Sequence, residues 1–157
     1  MEKSKSREYR LISQNKKAGF NYFLEETFQA GIELLGMEVK SLRAGKCNIA
    51  DSHIEVRDGE AFVVNMHISP YEHATIQKKD PLRRRRLLLH KREINRLIGA
   101  SARDGMTIIP TKIYFQGSLV KLDIALAKGK KLYDKRDTAA KKDMRREHEK
   151  EFKIKNL

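Results

Sequence analysis

Thr107-Ile108-Ile109-Pro110-Thr111-Lys112-Ile113-Tyr114-Phe115 is followed, across Gln116-Gly117-Ser118, by Leu119-Val120-Lys121-Leu122-Asp123-Ile124-Ala125-Leu126. In the second segment Val120, Leu122, Ile124 and Leu126 alternate with Lys121, Asp123 and Ala125. A period of two turns one set toward a core and the other toward water, which is the signature of a strand in a sheet with one wet face. The short glycine-containing link makes the pair a hairpin. Pro110 has no N–H to give to a ladder, so it predicts an edge or a bulge at that point.

Working outward, His53-Ile54-Glu55-Val56-Arg57 and Glu60-Ala61-Phe62-Val63-Val64 flank Asp58-Gly59, two residues that tolerate positive φ, and so predict a second hairpin. Phe20-Asn21-Tyr22-Phe23-Leu24 and the apolar run Gly31-Ile32-Glu33-Leu34-Leu35-Gly36 also have strand character. Between Met37 and Arg43, the placing of Val39 and Leu42 suits one or two helical turns stopped by Gly45. Residues 69–86, with Pro70, Pro81 and a dense basic cluster, read as a loop. Leu89, Ile94, Leu97 and Ile98 recur at helical spacing, with Gly99 as the stop. The fold expected is mainly β: a small OB-like closed antiparallel barrel of about six strands, two or three short helices and a helix-prone C-terminal tail. A plain α+β sheet is the alternative, and no internal repeat is visible.

Charge sets the organisation. Of 157 residues, 39% are hydrophobic and 35% charged, so the core need not span every residue. Lys and Arg number 34 against 21 Asp and Glu, a formal net charge of +13 that attracts polyanions. Residues 1–14 read as a basic flexible arm, 15–127 as the barrel domain and 128–157 as a basic tail. From Lys128 to Leu157 there are 12 Lys and Arg against 6 Asp and Glu, with no Pro and no Gly beyond Gly129. Ala140, Met144, His148 and Phe152 give only a narrow apolar stripe, too little to secure a costly helix nucleus. The tail is therefore expected to be disordered when free and helical on a polyanionic partner.

No apolar run approaches the roughly 20 residues of a membrane span, and the basic N-terminus lacks the apolar stretch of a secretory signal. The single Cys47 excludes an internal disulfide framework and a cysteine-based zinc site. A cytosolic setting follows, with no membrane partner. Asp51-Ser52-His53 has the residue types of a catalytic triad, but neighbours on a strand point to opposite faces and cannot form a relay. His53, His67, His73, His90 and His148 show no metal-ligand spacing, and Gly129-Lys130-Lys131 lacks the rest of a P-loop. No catalytic residue, metal or cofactor is expected.

Basic clusters carry the signal: Asn15-Lys16-Lys17-Ala18, then Lys78 to Arg86, then Lys128-Gly129-Lys130-Lys131 leading to Asp134-Lys135-Arg136. Lys and Arg at this density neutralise phosphates, and three clusters in a small chain point to nucleic acid. Aromatic residues lie nearby. Phe20, Phe23 and Phe115 are expected in the core because their strands need an apolar face, whereas Tyr133, in the polar tail, is free to stack on a base.

These motifs resemble, in order, those of the SsrA-binding protein family, also called small protein B. The likeness rests on Asn15-Lys16-Lys17-Ala18 with Tyr22-Phe23 and Ala30-Gly31-Ile32, and on Gly36-Met37-Glu38-Val39-Lys40-Ser41-Leu42-Arg43-Ala44-Gly45. It continues through Asp51-Ser52, Arg86-Leu87-Leu88-Leu89-His90-Lys91-Arg92-Glu93-Ile94 and Ala127-Lys128-Gly129-Lys130-Lys131-Leu132-Tyr133-Asp134-Lys135-Arg136. The resemblance implies an OB-like barrel that binds the tRNA-like domain of transfer-messenger RNA (tmRNA). It implies delivery of that RNA, with elongation factor Tu engaged through it, to stalled ribosomes. It also implies a tail that enters the decoding centre and empty messenger channel of the small subunit. Carried onto this sequence, the barrel's RNA face comprises Asn15, Lys16, Lys17, Gln29, Glu38, Lys40, Arg43, Leu88, Lys121 and Lys128, with Glu38 accepting from base or sugar groups. Gly129, Lys130, Lys131, Tyr133, Asp134, Lys135 and Arg136 would meet the decoding centre. Gln29 stands where members often have Glu, and Tyr133 where some have His: the neutral amide still donates and accepts, and the phenol still stacks but makes no cationic contact. A monomer is expected. Two other readings stay open at this point: a ribosomal or ribosome-assembly protein, and a metal-independent ribonuclease with two histidines converging on one phosphate.

Overall fold

In the computed structural model, which describes residues 8–71, 80–131, 136–137 and 139–144, the described chain begins β1 (Tyr9–Gln14), α1 (Ala18–Asn21), β2 (Tyr22–Ile32), α2 (Gly36–Arg43) and β3 (Cys47–Asn48). It continues with β4 (His53–Arg57), β5 (Glu60–Val64), β6 (His67–Ile68), β7 (Arg85–Leu88), α3 (Lys91–Asp104), β8 (Thr107–Gln116) and β9 (Leu119–Gly129). Positions 136–137 and 139–144 are helical. No helix among the described residues is long and apolar enough to cross a membrane.

Both expected hairpins form. Asp58 and Gly59 adopt φ of 54° and 74° between β4 and β5, and Gly117 adopts 64° between β8 and β9. Pro110 sits at the register shift in the β8–β9 ladder, the bulge its missing N–H requires. The main sheet is antiparallel, with order β1-β8-β9-β2-β7-β5-β4, and β3 pairs with β6 apart from it. The inward set of β9 (Leu122, Ile124 and Leu126) packs with Phe28, Ala30, Val63, Leu87, Ile113 and Leu97 in one core. Each of the Val, Leu, Ile and Phe side chains in it contributes about 1.5–3 kcal/mol when fully buried.

Several expectations need correction. The barrel is not closed among the described residues: β4 comes against β8, but no ladder joins them. The physical reason is that β1 takes the β8 edge from Lys112 to Gln116, and α3 packs against both β4 and β8. Residues 9–14, assigned to the flexible arm, form β1 because Leu11 and Ser13 find partners on β8. The expected strands at 20–24 and 31–36 are joined in one strand, β2, which follows the single turn α1 and ends at Ile32, while Gly36 already opens α2. Helix α3 runs through Gly99, because buried Ala100 extends the stripe of Ile94 and Leu97; the stop is Gly105, at φ 59°. Strand β9 passes the expected domain boundary at 127 and ends at Gly129.

Part of the expected loop at 69–86 is β7, and its first residue is the key to the fold. Arg85 is 0% exposed. Its Nε and Nη2 each lie 2.5 Å from Glu38 Oε2 on α2, while Nη1 donates to the Met66 and Arg83 carbonyls and Nη2 to Pro81. Glu38 Oε1 accepts from the Leu35 N–H at 2.9 Å, closing the helix N-terminus, and from Arg83 Nη2 at 2.6 Å. Burial alone would raise the Glu38 pKa; the hydrogen bonds from Arg83, Leu35 and Arg85, with the Arg85 charge, outweigh it and hold the carboxyl below its ordinary range.

Replacing Arg85 by Met should therefore cost about 3–5 kcal/mol in urea unfolding, because a buried carboxylate and three carbonyls lose a donor. Adding Glu38→Leu should recover part of that loss. Since folding lowers the Glu38 pKa, its stabilisation is complete above the unfolded Glu value of about 4.3 and is lost as pH falls through the folded value. The acid-side decline of wild-type stability should flatten in Arg85→Met.

Candidate nucleic-acid interface

Cross-strand partners share a face of the sheet, so register alone assembles the outer surface. One row runs Tyr114 (β8), Lys121 (β9), Gly31 (β2) and Leu88 (β7). The adjacent row runs Lys112, Asp123 and Gln29. Gln29, Gly31, Leu88, Lys121, His90 and Glu93 line an open groove between this face and the start of α3. Three residues taken from distant parts of the sequence, Gln29, Leu88 and Lys121, thus stand together.

The groove is held in shape. Gln29 Nε2 donates to the Tyr114 hydroxyl at 2.5 Å, and that hydroxyl donates to Asp123 Oδ1 at 2.7 Å. Burial, reinforced by the Asp123 carboxylate, raises the Tyr114 pKa, so the phenol stays a neutral donor. A Cβ added to Gly31 would lie 3.1 Å from the Leu88 Cβ, so glycine is what lets Leu88 lie across β2 while remaining 49% exposed. Arg86, beside it, is spanned by Glu33 at 2.7 Å and Glu60 at 3.1 Å.

A second groove is lined by Asn15, Lys17, Asn21, Tyr22, Asp51 and His53, with Lys16 exposed next to it. Asn15 is fixed at the β8 bulge: its N–H donates to the Thr111 carbonyl at 2.8 Å and its Nδ2 to that of Pro110 at 3.4 Å. Lys40 and Arg43 are exposed on α2; Lys40 Nζ lies 5.3 Å from the Tyr71 ring centre, and the Arg43 carbonyl accepts from Arg10 at 2.7 Å. Glu38 is different. Its carboxylate is taken up by the protein's own donors, which corrects the expectation that it accepts from a base or sugar.

At the end of β9, Lys128 and Gly129 pair with Phe23 and Tyr22. The Lys130 N–H donates to the Asn21 carbonyl and its Nζ to that of Gly19, both at 2.9 Å, with Nζ 4.9 Å over the Phe23 ring. Phe23 is 45% exposed, not in the core as expected; Phe20 is half-buried and Phe115 is core. Lys131 is exposed, and Arg136 is exposed on the helical stretch. Tyr133, Asp134 and Lys135 lie outside the described residues. Ser52 is spent on the Ile49 carbonyl at 2.6 Å while His53 faces Glu55 at 3.4 Å, so Asp51-Ser52-His53 makes no relay.

A basic chain with an antiparallel sheet and a polar groove on its outer face has the charge and the surface expected of a β-sheet protein that binds polyanions. Comparison narrows this. The family model described as SmpB protein matches residues 12–154. The chain is 57% identical over 148 residues to the SsrA-binding protein of Lachnoclostridium phytofermentans, across 94% of this chain and 96% of that one. It is 56% identical over 150 residues to the SsrA-binding protein of Caldanaerobacter subterraneus subsp. tengcongensis, across 96% and 95%. A chain solved in work described as "tmRNA-SmpB: a journey to the center of the bacterial ribosome" superposes with TM-score 0.64 and 45% identity, over 76% of this chain and 85% of that one. The chain belongs to the SmpB protein family.

Gly31→Ala tests whether the groove depends on Leu88. The new methyl must push Leu88 aside by a few tenths of an ångström, at the low end of the ~1–3 kcal/mol that overpacking costs in urea unfolding. Affinity for a structured RNA, measured by filter binding, should fall about tenfold, or ~1.4 kcal/mol. Unchanged affinity would separate the groove from RNA binding.

Proposed function

We propose that this chain is an RNA-binding adaptor that binds the tRNA-like domain of tmRNA and delivers it to stalled ribosomes for trans-translation. The observation that carries the reading is the convergence of Gln29, Leu88 and Lys121 on one preformed groove in a member of the SmpB family. The Lys121 ammonium pairs with phosphate, the Gln29 amide bonds to a base edge or a 2′-hydroxyl, and exposed Leu88 packs on a base or ribose. Asn15, Lys16 and Lys17 make a second phosphate-binding patch, with Lys40, Arg43 and Lys128 adding charge. Glu38 acts from inside, holding α2 so that Lys40 and Arg43 project from it.

Residues from Gly129 onward, including Lys130, Lys131, Tyr133, Asp134, Lys135 and Arg136, engage the decoding centre and messenger channel of the small subunit. The helix-forming composition of the tail and the helical positions 136–137 and 139–144 support a helical tail there. Elongation factor Tu joins through tmRNA, the protein works as a monomer in the cytoplasm, and it acts by binding without catalysing a reaction.

Truncation after Lys131 keeps β9 and the Lys130 contacts intact while removing the remaining tail. The truncated chain should bind tmRNA within about threefold of the full chain in a filter-binding titration, yet fail to tag nascent chains on stalled ribosomes. A loss of RNA affinity beyond tenfold, ~1.4 kcal/mol, would overturn the division of labour. Full tagging activity would overturn the role given to the tail.

A further inference from the structure

One cluster on the outer face reaches beyond the groove, to the strand at the edge of the sheet. Tyr9 on β1 is 56% exposed, and its ring packs on that of Tyr114 with centroids 4.9 Å apart and planes at 39°. Lys112 Nζ lies 5.8 Å from the centre of each ring and 3.7 Å from Asp123 Oδ2. Leu11, the register partner of Tyr114, is 44% exposed alongside. Among the described residues, the other exposed aromatic ring with a cation over it, Phe23, differs because Lys130 is also tied to Gly19, within the joint between β9 and α1.

We propose that Tyr9, with Lys112, is a stacking subsite for an unpaired nucleobase and its phosphate. The inference deepens the adaptor reading and rests on it. The subsite adjoins the groove: Tyr114 holds Tyr9 by its ring and Gln29 by its hydroxyl, and is the register partner of Lys121. An RNA segment crossing Lys121 therefore meets Tyr9 two strands on, at the ~4.8 Å spacing of neighbouring strands. A tyrosine ring carries a π-face that any base can stack on, and packing on Tyr114 fixes it before the base arrives. Lys112 supplies the cation a stacked nucleotide's phosphate requires, and the net charge of +13 favours RNA over an apolar protein partner.

The chain contains no Trp, so Tyr9→Trp places a single indole reporter at the subsite. The full-length variant is titrated with tmRNA while Trp emission and gel mobility are followed together. The expected result is a mobility shift at near wild-type concentration, with emission quenched in step by half or more. Tyr9→Ala should weaken tmRNA binding about tenfold, whereas Tyr9→Phe should stay within twofold, since stacking needs the ring and not the hydroxyl. Urea midpoints of the three variants show that each is folded. A complete mobility shift with unchanged emission, or Tyr9→Ala binding at wild-type affinity, overturns the subsite and leaves the adaptor reading standing. Absence of a tmRNA shift for the wild-type chain overturns both.

Discussion

The buried contact between Arg85 and Glu38 is the constraint on which the rest of the structure depends. An arginine at 0% exposure is tolerable only when its donors are met, and here one carboxylate and three carbonyls from two segments meet them. The same carboxylate closes the first turn of α2 through the Leu35 N–H. One interaction therefore fixes the start of a helix, the phase of β7 and the course of residues 81–83. Phase matters most. With Arg85 and Leu87 inward, Arg86 and Leu88 must face outward, and Leu88 reaches the groove. Slipping by one residue would bury Arg86 and Leu88 in place of Arg85 and Leu87.

Upon that frame the outer face is organised by short contacts between strands far apart in sequence. Gln29, Tyr114 and Asp123 form a chain of hydrogen bonds across β2, β8 and β9. Gly31 yields the space over which Leu88 lies. Such preorganisation lets a groove select one RNA among many. Diffuse charge of +13 attracts every polyanion alike and is weakened by salt, whereas fixed donors and an apolar contact discriminate by shape.

Much of this was legible in the sequence. Strict alternation located β9 and its dry face, Asp58-Gly59 located a turn, and Pro110 located a bulge. Strand β7 was hidden because its inward position carries an arginine: in Arg83-Arg84-Arg85-Arg86 a period of two is invisible when both faces bear the same charge. The first strand was hidden for a related reason. Tyr9–Gln14 is mostly exposed and gains its structure from the β8 edge, a tertiary cause that local pattern does not record. Lys121, Leu88 and Gln29 were assigned to one face through family likeness; register then explained why they share it. Glu38 was placed on the RNA face by the same route, although its partners lie at 83 and 85, where only the folded chain reveals them.

Selection of tmRNA by a preformed groove, rather than by charge alone, is open to measurement. Its most direct test is a titration of the full chain against labelled tmRNA with bulk tRNA as competitor, at low and at physiological salt. Selection by the groove gives a strong preference for tmRNA that persists at the higher salt. Equal competition by bulk tRNA, with both affinities falling steeply as salt rises, would contradict it and leave only a generic basic RNA binder.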